Sequence, residues 1–304
     1  MNKFWRAALA ASLMGFAACI LSSPPAHAAG RAECVSQPSK ILAREVPYCV
    51  LLPPSYDSEK TRRYPVLYLL HGLGDNDQFL IHSGGMNLIE DLWEQHAISE
   101  FLIVTPSAGA SFYINARDGK RRYEDFFLNE FVPGVEKRYR AQAARGSRGI
   151  GGISMGGYGA LYIAFRHPQL FAAVAAHSAA LVEQWPNVDA LDARQKSQLR
   201  VLGDAFGTPF DSAFWKQNDP VTIARTANLA GLRIYFDCGT EDDYGFDAGA
   251  AALDKVLTSR HIAHEFHLYP GGHDWTYFAE HLPALLAFES RAFESSQPRK
   301  TPAP

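Results

Sequence analysis

The sequence predicts an α/β protein in which a mainly parallel sheet carries helices on both faces and forms a single domain. Two observations lead to this prediction. Short apolar runs of five to seven residues alternate with longer amphipathic runs, which is the order expected of successive βα units. The short runs are almost continuously apolar, and strands of that type are buried on both faces, as they are in parallel sheets.

The apolar runs define six predicted strands, at 65–70, 101–105, 147–153, 171–176, 232–237 and 264–269. The amphipathic runs define five predicted helices, at 86–97, 123–139, 155–166, 249–259 and 275–293. The carboxyl ends of parallel strands meet at one edge of the sheet, and ligands bind beyond that edge. Residues that directly follow the strands are therefore the candidates for a functional site.

Composition and charge restrict the classes of partner. The chain has 304 residues, of which 47% are hydrophobic and 20% charged, so it can bury a large core. Its net charge of −3 provides no basic field for nucleic acid or anionic lipid, and we expect neither as a partner. The sequence contains no C-x-x-C pair or Cys/His cluster that suggests a metal. It does not define the oligomeric state.

The N-terminal segment, residues 1–28, has the pattern of a signal peptide. Lys3 and Arg6 precede a run of apolar residues, and an A-x-A cleavage site ends at Ala28. We therefore predict cleavage after Ala28 and export to the periplasm or the medium, without a membrane anchor. The domain is expected to span 29–294, and 295–304 to form a disordered tail.

Export would place the remaining cysteines in an oxidising compartment. Cys34 and Cys49 lie in two extended segments that can fold back on one another, so a bridge between them is one of two open outcomes. Cys238 lies within an apolar run, where a buried free thiol is the expected state.

The glycine-rich stretch GGISMGGYG surrounds a single hydroxyl, that of Ser154. Its centre fits the G-x-S-x-G pattern of a nucleophile elbow, although a flexible surface loop would show the same composition. A predicted strand enters Ser154 and a predicted helix leaves it, as an elbow requires. Gly152 and Gly156 would permit the tight turn between them. This context predicts a nucleophilic serine above the sheet.

A nucleophilic serine requires a base, and seven histidines follow Ser154. His273 comes after a Pro-Gly-Gly turn just past the last predicted strand, so it is the candidate for the edge where Ser154 lies. His167 and His177 are expected to be structural. His281 is expected on the solvated side of the last helix.

The acid that orients the histidine is expected in the loop after the preceding strand. That loop offers Glu241, Asp242 and Asp243, and spacing alone does not choose among the three carboxylates. Two of them are expected to be solvated loop residues.

Four motifs occur in the order YLLHGLG, GGISMGGYGALYIAFRHPQLF, DCGTEDD and YPGGHDW. Together they resemble the esterase branch of the α/β-hydrolase superfamily, the esterase D and feruloyl esterase type, from about residue 46 to about residue 288. The resemblance implies the α/β-hydrolase fold. It also implies Asp242 as the acid, three residues after Gly239, and the backbone N–H groups of Leu73 and Met155 as the oxyanion hole.

The resemblance implies an exported serine carboxylic-ester hydrolase that forms an acyl-enzyme and needs no cofactor. Its expected substrates are short acyl or hydroxycinnamoyl esters, either small molecules or linked to a polysaccharide. A thioesterase like the S-formylglutathione hydrolases, or an acyltransferase, is the alternative within the family. Those hydrolases are cytosolic and carry S-G-L-T where this chain has H-G-L-G, which disfavours a glutathione thioester.

A non-catalytic binding module with the hydrolase fold is the alternative from another class, but such proteins usually lack a triad member. Six aromatic residues are candidates either for lining an acyl pocket or for the core. They are Phe112, Tyr113, Trp185, Trp215, Tyr244 and Trp275.

Overall fold

The computed structural model describes residues 29–182 and 200–296. The predicted signal peptide and Trp185 lie outside the described residues. The sheet consists of β1 (Arg31–Ser39), β2 (Arg44–Leu52), β3 (Val66–Leu70), β4 (Leu102–Pro106), β5 (Arg148–Ile153), β6 (Ala173–His177), β7 (Arg233–Gly239) and β8 (Glu265–Tyr269).

Among the described residues, the first α-helix lies before β4 and the last one ends at residue 296. They are α1 (Phe79–His82), α2 (Gly85–Glu94), α3 (Tyr123–Phe126), α4 (Val132–Arg138), α5 (Met155–Arg166), α6 (Gly203–Phe206), α7 (Ser212–Asn218), α8 (Pro220–Ala224), α9 (Phe246–Ser259) and α10 (Trp275–Ser296). A π-helical segment, Phe127–Phe131, joins α3 to α4. Of the helices in the described ranges, none combines the length and apolar character needed to cross a bilayer.

The eight strands form one sheet in the order β1-β2-β4-β3-β5-β6-β7-β8. Strands β3 to β8 run parallel, whereas β2 pairs antiparallel with both β1 and β4. The predicted α/β fold is therefore confirmed. The six predicted strands correspond to β3–β8, and β1 and β2 add an antiparallel hairpin at one edge.

Both faces of the sheet are buried, which explains the continuous apolar runs. In β3, Val66, Tyr68 and Leu70 pack into the core on one face, where α5 and α9 lie. Leu67 and Leu69 of the same strand pack into the core on the other face, with α2 and α10. Since neither face of β3 meets water, none of its positions carries a charged side chain.

The hairpin of β1 and β2 carries the disulfide. Cys34 and Cys49 are directly opposite each other in the strand register, and their sulfur atoms are bonded, with Cα atoms 4.0 Å apart. Cys238 is a buried free cysteine. The Cys34–Cys49 disulfide, which was one of two outcomes that the sequence allowed, is therefore present. The expectation of a buried free thiol at Cys238 is confirmed.

The last helix extends two residues beyond residue 294, the expected end of the domain. Helix α10 continues to Ser296, and the hydroxyl groups of Ser295 and Ser296 both donate to the Ala292 carbonyl. Serines near a helix end can bond to the preceding turn in this way, so the local polar composition did not indicate the end of the helix. Residues 297–304 lie outside the described part of the chain.

Candidate active site

Ser154 occupies the sharp turn between β5 and α5. Its backbone has φ 57° and ψ −117°, a conformation that is strained for a residue with a side chain. The turn is closed by glycines: a Cβ on Gly152 would collide with the backbone of Gly156, and a Cβ on Gly156 would collide with the Leu70 carbonyl. The Ser154 N–H donates to the His177 carbonyl at 2.9 Å, which fixes the turn to the neighbouring strand.

His273 lies in the loop that follows β8, and this loop is tied to the loop after β7. The Glu241 N–H donates to the Gly271 carbonyl at 2.9 Å. Gly271 has φ 134°, and a Cβ on Gly239 would collide with its carbonyl. The two loops can therefore approach closely only because glycine occupies both positions.

The structure brings the predicted serine, histidine and Asp242 together at the carboxyl edge of the sheet. His273 Nε2 lies 2.9 Å from Ser154 Oγ, and His273 Nδ1 lies 2.7 Å from Asp242 Oδ2. Asp242 is buried, whereas Glu241 and Asp243 are exposed. Of the three loop carboxylates, it is Asp242 that the histidine contacts.

Asp242 is held as a carboxylate by its surroundings. Burial by itself raises the pKa of Asp242, but the hydrogen bond and the charge of His273 oppose burial, as do the backbone N–H groups of Tyr244 and Phe246. Together these interactions hold the pKa below the usual value for an aspartate. The Tyr244 N–H lies 2.9 Å from Oδ1, and the Cys238 thiol donates to Oδ2 at 3.5 Å.

The two predicted N–H donors belong to residues in segments next to the nucleophile. Met155 is the first residue of α5, so its N–H is one of the groups left open at a helix N-terminus. Leu73 follows Gly72, at which a Cβ would lie 3.6 Å from the Ser154 Cβ. Among the described residues, neither the Leu73 nor the Met155 N–H has a hydrogen-bond acceptor. Both groups are free to bind an anionic oxygen.

Aromatic rings surround the imidazole of His273. The rings of Tyr244, Phe246 and Phe278 lie nearly perpendicular to it, with centroid distances of 4.9, 5.4 and 5.2 Å. Tyr244 is 66% exposed and Leu73 40% exposed, so both residues contribute exposed apolar surface. Sequence reasoning included Tyr244 but missed Phe246 and Phe278, because neither position carries a motif.

The other aromatic candidates lie elsewhere. Phe112, Tyr113 and Trp215 are buried in the core, and Trp275 is partly buried beside Gly85. These positions agree with the core alternative for Phe112, Tyr113 and Trp215.

The remaining histidines named from the sequence have structural partners. His167 Nε2 lies 2.9 Å from Glu124, and His177 Nδ1 lies 2.6 Å from Asp237. The expectation for His281 was wrong: its ring stacks on Tyr269 with a centroid distance of 4.2 Å instead of facing solvent. The period of the helix did not reveal that β8 lies against this position.

A strained serine lies between a strand and a helix and is hydrogen-bonded to a histidine, which in turn is bonded to an aspartate. The histidine and the aspartate come from the loops after the last two strands, and this arrangement defines the α/β-hydrolase class. Comparison with known proteins narrows the class. The family model described as "Putative esterase" matches residues 39–288. The chain belongs to this family.

Individual relatives agree with the family. An esterase of Mycobacterium tuberculosis is 32% identical over 251 residues, which are 74% of this chain and 51% of the relative. The chain thus spans about half the length of this relative. An acetyl esterase of Caldicellulosiruptor saccharolyticus is 25% identical over 267 residues, which cover 83% of this chain and 96% of that protein.

Among solved structures, a ferulic acid esterase superposes with a TM-score of 0.72 at 29% identity. The match covers 87% of this chain and 99% of the solved chain. An S-formylglutathione hydrolase from Agrobacterium tumefaciens superposes with a TM-score of 0.69 at 19% identity, which shows a shared fold. That match covers 90% of this chain and 99% of the other.

Proposed function

We propose that this chain is an exported serine esterase in which Ser154, His273 and Asp242 form a catalytic triad. The observation that carries the proposal is the continuous chain of contacts from Ser154 Oγ through the imidazole to Asp242, at 2.9 and 2.7 Å. These distances lie within the range over which a positioned base can take the proton of a nucleophile.

Acylation begins when His273 Nε2 accepts the proton of Ser154 and Oγ attacks the ester carbonyl carbon. The carbonyl oxygen becomes an oxyanion, which accepts hydrogen bonds from the N–H groups of Leu73 and Met155. Removing one such donor typically costs about 3 to 4 kcal/mol of transition-state stabilisation. His273 then protonates the leaving alcohol, and the acyl group remains bonded to Ser154.

Deacylation repeats these steps with water. His273 Nε2 accepts a proton from water, the hydroxyl oxygen attacks the acyl carbon, and collapse of the intermediate returns the proton to Ser154 Oγ as the acid departs. Asp242 accepts the Nδ1–H bond, so it keeps Nε2 unprotonated in the resting enzyme. Its negative charge then stabilises the imidazolium formed in each half-reaction. No step requires a metal or an organic cofactor.

The proposed substrates are esters of short acyl or hydroxycinnamoyl groups. The exposed ring of Tyr244 and the exposed side chain of Leu73 give apolar surface on which an acyl chain or aryl ring can lie. The ferulic acid esterase and the acetyl esterase among the similar proteins support the same range of substrates. The alcohol portion can be a small molecule or a polysaccharide to which the acyl group is attached.

A panel of esters tests this proposal. We expect the mature protein to hydrolyse p-nitrophenyl acetate and butyrate and methyl ferulate, and a serine-directed phosphonate to abolish all three activities. Adding an alcohol acceptor and measuring the ratio of transferred to hydrolysed acyl groups separates a hydrolase from an acyltransferase. A protein that hydrolysed none of these esters, or that kept its activity after full phosphonylation, would contradict the proposal.

A further inference from the structure

The side chain of His71 is buried beside the Gly72–Leu73 peptide, where it does not contact the predicted triad. The Ala108 N–H donates to His71 Nε2 at 3.0 Å. A backbone N–H can only donate, so Nε2 must be the unprotonated nitrogen of the ring. The proton is therefore on Nδ1, which lies 2.7 Å from the Gly72 carbonyl oxygen and donates to it.

This bond fixes the orientation of one particular peptide group. The Gly72 carbonyl and the Leu73 N–H belong to the same planar trans peptide, in which the C=O and N–H bonds point in opposite directions. By holding the carbonyl oxygen on its own side, the imidazole directs the Leu73 N–H to the other side. A rotation of this peptide would exchange the donor for a carbonyl oxygen, which would repel an oxyanion.

Two further contacts keep His71 in place. The Tyr113 hydroxyl donates to the His71 carbonyl at 3.1 Å, and the two rings meet edge to face with centroids 5.9 Å apart. Tyr113 has a positive φ of 61°, a conformation that surrounding contacts must maintain. Burial lowers the pKa of His71 and outweighs the opposing effect of the Gly72 hydrogen bond, which favours the neutral ring that both of its hydrogen bonds require.

We propose that His71 positions the oxyanion hole by holding the Gly72–Leu73 peptide with its Nδ1–H. The inference rests on the proposed function, because it assigns the Leu73 N–H to the oxyanion. His71 touches no reacting atom and is thus a positioning residue. Its contribution is expected in the transition state, where the charge on the oxygen develops, and much less in substrate binding.

Two amide substitutions separate the two hydrogen bonds of the ring. In His71→Asn, the side-chain NH₂ can take the place of Nδ1–H and donate to Gly72, but the bond from Ala108 is lost. In His71→Gln, the longer side chain can accept from Ala108, but no donor lies at the Nδ1 position. Both variants lose an imidazole from a buried site, so they are matched in the packing that they remove.

His264 provides a matched control at the opposite edge of the sheet. Its Nδ1 lies 2.7 Å from the Ile262 carbonyl, which is the same distance as in the His71 bond, and its Nε2 lies 2.9 Å from Asp254. His264→Gln therefore removes a comparable bond between a ring and a carbonyl just before β8, away from Ser154. We expect it to lower the melting temperature and to leave kcat and KM at their wild-type values.

The expected result is an ordering of kcat on p-nitrophenyl acetate. His71→Gln should lose on the order of 10- to 100-fold in kcat with KM nearly unchanged. The loss is smaller than for removal of a donor, because the Leu73 N–H would be misdirected but still present. His71→Asn should stay within about threefold of the wild type by restoring the donor. Equal losses in the two variants, or a rise in KM with kcat unchanged, would overturn the proposal. If the wild type does not hydrolyse the ester at all, it is the proposed function that fails.

A measurement on the wild-type protein keeps the inference testable if the variants do not fold. ¹⁵N-histidine NMR distinguishes a protonated from an unprotonated ring nitrogen, and it requires no activity. We expect one buried histidine to carry its proton on Nδ1 across the neutral pH range, with a coupling across the hydrogen bond to the ¹³C-labelled Gly72 carbonyl. An Nε2–H tautomer or an imidazolium at His71 would refute the proposal.

Discussion

Two of the histidine–aspartate pairs in the described residues have nearly the same length but differ in their surroundings. His273 Nδ1 lies 2.7 Å from Asp242, and His177 Nδ1 lies 2.6 Å from Asp237. His177 is the last residue of β6, and His273 lies in the loop that follows β8, so both are near the carboxyl edge of the sheet. A distance criterion alone would therefore select both pairs as candidates for catalysis.

The His177–Asp237 pair has neither contact with solvent nor a nucleophile beside it. The side chains of His177 and Asp237 are both 0% exposed, and the remaining aspartate oxygen accepts a hydrogen bond from Tyr277 at 2.7 Å. Within the described residues, neither ring nitrogen of His177 makes a hydrogen bond, although Nδ1 lies close to Asp237 Oδ2, whereas His273 Nε2 is hydrogen-bonded to Ser154. The comparison teaches that a bond to a nucleophile and contact with solvent define a catalytic histidine more than its aspartate does.

The largest expected effect comes from breaking the pair that reaches the serine. Ser154→Ala, His273→Ala and the double variant should each lose a factor on the order of a million in kcat, because neither group acts without the other. Ester turnover is compared after the three variants are shown to melt at similar temperatures. Losses that multiply in the double variant would mean that the two residues act independently.

The next effect separates the acid from its neighbours in the loop. Asp242→Asn should lower kcat on the order of 10⁴-fold with little change in fold, since the amide favours the wrong imidazole tautomer. Asp243→Asn is the matched control, because Asp243 is exposed and adjacent, and it should change kcat less than about threefold. Steady-state kinetics on p-nitrophenyl acetate check both variants. The reverse ranking would assign the acid to Asp243.

The same substitution in the second pair should affect stability instead. Asp237→Asn weakens the buried hydrogen bond from Tyr277 and removes the charge that lies beside His177, and we expect it to lower the free energy of unfolding by about 1–3 kcal/mol. Its kcat, measured well below the melting temperature, should remain within about tenfold of the wild type. Urea unfolding and ester turnover provide the two values. A loss of kcat as large as that of Asp242→Asn would remove the distinction between the pairs.

The smallest effect is the dependence of stability on acid pH. The folded-state pKa of Asp242 lies below its unfolded value of about 3.9, so its ionisation stabilises the folded protein fully above that pKa. This contribution is lost as the pH falls through the folded-state pKa. The difference in unfolding free energy between the wild type and Asp242→Asn should therefore shrink from about pH 6 to about pH 3. A difference that stayed constant would contradict the lowered pKa.

Much of the fold and two of the site residues followed from the sequence for identifiable reasons. Strands β3–β8 are apolar at nearly every position because both faces are covered, so they were visible as runs. Ser154 was visible because an elbow requires small residues between a strand and a helix. His273 was visible because a turn places it just beyond the last strand, whereas Asp242 had to be chosen by resemblance among three carboxylates.

The remaining features depend on tertiary contacts that local patterns do not encode. Phe246 and Phe278 meet the imidazole of His273 from different elements, and no spacing rule connects them. The ring of His71 bonds to the carbonyl oxygen of Gly72, in the Gly72–Leu73 peptide, and a sequence motif does not express this contact. His281 was misplaced because the position of β8 against α10 decides which face of the helix is buried.

The most direct test of the central claim is to identify the residue that a serine-directed phosphonate modifies. Mass spectrometry of the digested protein should find one adduct, on Ser154, and its formation should parallel the loss of ester hydrolysis. His273→Ala should form the adduct far more slowly, because the hydroxyl group has lost its base. An adduct on another residue that accompanied the loss of activity, or complete labelling of Ser154 with esterase activity intact, would contradict the account.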